Sequence, residues 1–100
     1  MRRKPTPPER DDEGLTRLRV EIERVDREVV RLIAKRIELA RQVGAIKHAA
    51  GLPALDPERE ADVIRRAIEV AREEGAPEND VRYLFRHLIG MSRRAQLIDE

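Results

Sequence analysis

Apolar residues recur at Leu15, Leu18, Ile22, Val25, Val29, Leu32, Ile33, Ala40 and Val43, mostly three or four positions apart. From Leu15 to Ala50 there is no proline, and Gly44 is the only glycine. That period predicts one helix over the whole stretch. Such a helix would run for about 54 Å, whereas a compact domain of this size has a radius of gyration of about 13 Å. The helix should therefore extend beyond its own globule with its stripe uncovered, and a homodimer is the economical cover. Gly51 and Pro53 end it. Asp56 as N-cap and Pro57 at the first helical position then start a second helix, which runs to about Glu74 and is closed by Gly75. A third helix, from about Glu78 to Ile98, carries Val81, Leu84, Phe85, Leu88 and Ile89 on one face. No strand pattern or internal repeat appears, so the fold class is all-α, with one very long N-terminal helix and two shorter ones. Residues 1–13 read as a disordered tail and 14–100 as the helical domain.

Several polar residues interrupt these faces. At 100° per residue, Arg36 and Lys47 fall within about 20° of the middle of the first stripe. Arg24, Arg27, Arg31, Lys35 and Glu38 occupy the opposite face, as solvated residues should. Ser92 and Gln96 continue the apolar line of the third helix, and Glu60 heads the stripe of Ile64, Ala67, Ile68 and Ala71 in the second. Singly, each has a bland explanation: a long side chain that snorkels to water, or a buried ion pair. Together, three helices directing Arg, Lys, Glu, Ser and Gln inward describe a polar cavity. The cations on helix one suit an anionic ligand, and a carboxylate matches the bidentate fork of arginine.

Arg19 lies near the edge of the stripe, about 25 Å along the axis from Arg36, too far for both to hold one small molecule in cis. In an antiparallel pair of long helices crossing near residue 30, Arg19 of one chain falls opposite the interval between Arg36 and Lys47 of the other. Two shared sites per dimer would result. On spacing alone, an exposed i,i+4 pair with Glu23 explains Arg19 equally well.

Composition removes most other chemistries. With 21 Lys+Arg against 20 Asp+Glu, and a single Phe and Tyr, the chain offers neither the charge nor the stacking platforms of a nucleic-acid binder. It has no cysteine, and His48 and His87 alone make no metal site. The basic start has no apolar run behind it, which excludes a signal peptide or a membrane span and suits a reducing cytoplasm. Charged residues make up 41% of the chain, a balance in which ion-pair networks gain weight at high temperature. No serine or cysteine nucleophile has a partnered histidine, and no glycine-rich phosphate loop is present. Any chemistry must rest on positioning and electrostatics.

The succession "LTRLRVEIERVDREVVRLIAKRIELARQVGAIK", then "DPERE", then "LFRHLIGMSRRAQ" resembles the all-helical, type II chorismate mutases, intertwined three-helix homodimers of aromatic amino acid biosynthesis. The resemblance spans about residues 15 to 97, with matching polar positions on all three helices. It implies an isomerase that rearranges chorismate to prephenate by a [3,3] shift and needs no cofactor. By the same resemblance, Arg36 and Arg19 of the other subunit hold the substrate's carboxylates, and Ser92 lies at a carboxylate. Lys47 binds a carboxylate and the ether oxygen, to which Gln96 donates a second hydrogen bond. Glu60, with the backbone near Asp56, binds the ring hydroxyl, and Arg59 supports that end. Two alternatives stay open: an isochorismate-pyruvate lyase on the same scaffold, and a non-catalytic helical dimer or regulatory module that binds an anionic metabolite. Association with another aromatic-pathway enzyme is a further expectation.

Overall fold

The computed structural model describes residues 7–98 as three consecutive α-helices, α1 (Pro7–Ala50), α2 (Pro57–Glu74) and α3 (Glu78–Ile98), with no strand among them. The second and third helices keep the bounds expected from the sequence. The first begins at Pro7, well ahead of Leu15. Proline is tolerated in a first turn because the N–H it lacks has no intrahelical partner there. Residues 1–6 of the expected tail lie outside the described residues.

Local chemistry sets the helix ends. The Asp56 side chain accepts a hydrogen bond from the Arg59 backbone N–H at 3.2 Å, and Pro57 follows at the first helical position. Gly51 and Gly75 both adopt positive φ, 70° and 75°. At the first, the N–H of Leu52 reaches the Lys47 carbonyl at 2.8 Å, and that of Gly51 reaches His48 at 3.2 Å. Ala76 and Gly75 repeat the arrangement on Ala71 and Arg72. Each pair is a Schellman closure, which uses up carbonyls that a helix end would otherwise leave bare.

The chain forms two compact units, Met1–Leu32 and Ile33–Glu100. In the first, Leu15, Leu18, Ile22, Val25, Val29 and Leu32 are between 44% and 60% exposed, an apolar stripe on a helix that buries none of it. In the second, α2 packs against α3, and the buried apolar residues are Ala40, Ala67, Ala71, Ile89 and Ala95. This interior is made almost entirely of small side chains, which lets the helix backbones come close. Leu84 departs from the expected face and is 63% exposed. It lies about 70° round the helix from the centre of the line formed by Val81, Phe85, Leu88 and Ser92.

Candidate active site

Within the second unit, one cavity of about 480 Å³ gathers side chains from all three helices. Arg36 and Lys47 reach it from α1, Asp56, Arg59 and Glu60 from the start of α2, and Ser92, Arg93 and Gln96 from α3, over apolar walls that include Val43, Val63 and Ile89. Seven of the eight residues expected from the sequence therefore surround one space. The eighth, Arg19, is exposed in the first unit and is not among the lining residues. The polar side chains are less enclosed than the stripes implied. Arg36, Lys47, Glu60, Ser92 and Gln96 are half-buried, Asp56 and Arg59 are exposed, and no polar residue among those described is fully buried. The cavity opens to solvent, so their heads remain partly hydrated.

Arg36 is fixed by α3. Its Nη1 donates to the Ser92 hydroxyl and to the Leu88 carbonyl at 3.5 Å, and its guanidinium stands 5.9 Å from the centre of the Phe85 ring. Burial pushes the Arg36 pKa down, and the like charge of Arg59 adds to the effect. An anion between the two arginines would relieve both.

Lys47 joins the helices. Its ammonium donates to the Ala54 carbonyl in the α1–α2 connection at 3.0 Å and to Gln96 Oε1 at 3.3 Å. With that oxygen engaged, the Gln96 amide nitrogen keeps its N–H groups for a ligand. Gly44, one helical turn before Lys47, is buried where α1 meets α3. A Cβ placed there would lie 2.7 Å from both the Cα and the carbonyl oxygen of Gln96. Only glycine allows the approach that sets Gln96 beside Lys47.

At the other end, Arg93 grips Glu60. Its Nε donates to Oε2 at 2.8 Å and its Nη2 to Oε1, a fork closed on both oxygens. The hydrogen bonds from Arg93 hold the Glu60 carboxyl below the usual glutamate range, against partial burial, and the charges of Arg93 and Lys47 act the same way. Four cations and two carboxylates line the cavity, a surplus of two positive charges that matches a dianion. Among the described residues no cluster of His, Cys, Asp or Glu could hold a metal ion, and no helix is long and apolar enough to cross a membrane.

Reading the sequence missed three contributors: Gly44, Arg93 and the Ala54 carbonyl. Gly44 was visible as the lone glycine of a long helical run. Arg93 falls on the polar side of α3 by pattern, and a main-chain carbonyl has no sequence signal.

Residues 18–97 match the family described as chorismate mutase type II. The chain is 34% identical over 84 residues to the chorismate mutase of Methanocaldococcus jannaschii, which covers 84% of this chain and 85% of that protein. It is 35% identical over 80 residues to the bifunctional chorismate mutase/prephenate dehydratase of Aquifex aeolicus, across 77% of this chain but only 22% of the larger relative. Among solved structures, a conserved hypothetical protein from Pyrococcus furiosus superposes with a TM-score of 0.68 at 32% identity, over 83% of this chain and 95% of that one.

Proposed function

Because the chain belongs to the chorismate mutase type II family, we propose that it rearranges chorismate to prephenate at the cavity between its helices. The reaction is intramolecular. The ether C–O bond breaks as a C–C bond forms between the enolpyruvyl group and the ring, with no proton gained or lost. The protein must hold the reactive chair and stabilise the negative charge that grows on the ether oxygen.

The observation that carries this reading is the Lys47–Gln96 pair in a cavity with two surplus positive charges. Lys47 and the Gln96 amide nitrogen are two adjacent donors for the ether oxygen. Arg36, steadied by Ser92, takes one carboxylate, and Lys47 assists at a carboxylate. Glu60, with the backbone near Asp56, accepts from the ring hydroxyl, and Arg59 supports that end. Preorganised donors of this kind typically contribute about 10²–10³ each to the rate.

The working unit is a homodimer in which Arg19 of the second copy completes the carboxylate site. The uncovered stripe of the first unit supports this, since a second copy would bury it. The bifunctional Aquifex aeolicus relative joins a mutase to a dehydratase in one chain. By analogy, this chain works beside an enzyme that consumes prephenate. The absence of cysteine suits the cytoplasm.

Incubating the purified protein with chorismate should deplete the substrate's absorbance, with prephenate identified as the product. Isochorismate, offered separately, should release no pyruvate. Persistence of chorismate would overturn the assignment.

A further inference from the structure

Arg93 has no part in the reaction as proposed, yet, like Arg72 on Glu78, it closes a fork on a carboxylate of another helix. The ion pairs Arg31–Glu28 and Arg65–Asp62 join neighbours three positions apart on the surface of a single helix. The Arg93–Glu60 pair instead ties α3 to α2 across 33 positions of sequence, through both oxygens of a carboxylate whose side chain is only 23% exposed. A second cavity, of about 320 Å³, lies behind it, and Glu60, Ile89 and Arg93 line both spaces. The pair therefore stands in the partition between them.

Resting on the mutase reading above, we infer that Arg93 is a positioning residue that holds Glu60 aligned and acceptor-only, so that this end of the site takes a ligand hydroxyl. An ionised carboxylate has about four acceptor positions. The fork takes one on each oxygen and leaves each oxygen free to accept once more. Without the fork, Glu60 could turn away or take up a proton, and a protonated carboxyl offers a donor where the ligand must itself donate.

The charged groups that line the two cavities with Glu60 are Lys47 from α1, Arg86 and Arg93 from α3, and Asp56 and Arg59 on its own side. Of these, the hydrogen bonds from Arg93 do most to keep its carboxyl low. An ionised Glu60 also repels a carboxylate, so the fork selects a hydroxyl over a third anionic group.

The test uses Arg93→Met and Arg93→Lys in the full chain, with kcat and KM for chorismate measured from about pH 4 to 8 and the Glu60 carboxyl followed by carbon NMR. Arg93→Met is expected to lower kcat/KM by about tenfold at neutral pH, with a larger loss toward acid and the Glu60 midpoint moved up. Arg93→Lys should keep the Glu60 midpoint low but recover the neutral activity only in part, since a cation returns without the fork. A merely structural role would lower thermal stability and leave the pH profile of kcat/KM unmoved even as the Glu60 midpoint rises, and that result overturns the inference. If wild-type protein leaves chorismate unchanged, the mutase reading fails, and the Glu60 midpoint in Arg93→Met still decides on the fork. If Arg93→Met does not fold, an ordinary glutamate midpoint for Glu60 in the wild type overturns the inference and a depressed one supports it.

Discussion

Lys47 is held from two sides, by the Ala54 main chain and by Gln96, so one of its three ammonium protons remains, to be shared between the ether oxygen and a carboxylate of the ligand. Lys47→Ala should lower kcat/KM by at least about 10²–10³-fold, with helicity by circular dichroism unchanged. A variant that turns over chorismate at the wild-type rate would contradict its role. No histidine or cysteine lines the cavity, so kcat/KM should stay flat between about pH 6 and 8. A steep change across that interval would point to a titrating group elsewhere. Arg36, Lys47, Glu60, Ser92 and Gln96 were legible from sequence because each interrupts a periodic apolar face, and such interruptions need no knowledge of the partner helix. Arg93 was not. It follows Ser92 by one position, sits where a polar residue belongs, and acquires meaning only when α3 brings it onto a residue of α2.

The same division holds for whole helices. The ends of α2 and α3 were legible because caps are local chemistry, as at Asp56, Pro57 and Gly75. The start of α1 was not, since two prolines and a run of charges read equally well as a tail. The crossing of α1 and α3 at Gly44 was equally hidden, because a glycine inside a helix carries no mark of what approaches it. Gly44→Ala would drive a methyl into backbone atoms of Gln96, which cannot rotate away. The helices must part, at a cost of about 1–3 kcal/mol, to be read as a lower melting temperature together with a lower kcat. The exposed stripe of the first unit has its own test. Burying a Val or Leu side chain contributes about 1.5–3 kcal/mol, so the chain should sediment as a dimer, and Val25→Asp should shift it toward monomer with loss of helix. Wild-type protein that sediments as a monomer at all concentrations would rule out the shared site.

Across the whole molecule, charge is nearly balanced, at +1. The ion pairs Arg31–Glu28, Arg41–Glu38 and Arg65–Asp62 are short-range contacts on exposed surface. Solvent screens such exposed pairs, and holding two long side chains in one geometry costs entropy, so heat resistance cannot rest on them singly. Their effect should instead show in acid. The carboxyls of Glu28, Glu60 and Glu78 are held below the ordinary glutamate range by hydrogen bonds from Arg31, Arg93 and Arg72. A folded-state pKa lowered in this way stabilises the protein fully above the unfolded value, and the stabilisation is lost as pH falls through the lowered one. The urea midpoint should therefore hold through neutral pH and decline below about pH 4.5, whereas a midpoint that rises on acidification would reverse the sign. The interior of Ala40, Ala67, Ala71 and Ala95 sets a different bias, on how the chain can drift. A core built of methyl groups leaves only Ala→Gly as a truncation, at about 0.5–1 kcal/mol in a helix, while enlarging substitutions force helices apart at about 1–3 kcal/mol. Inherited damage to this protein should come from side chains that grow.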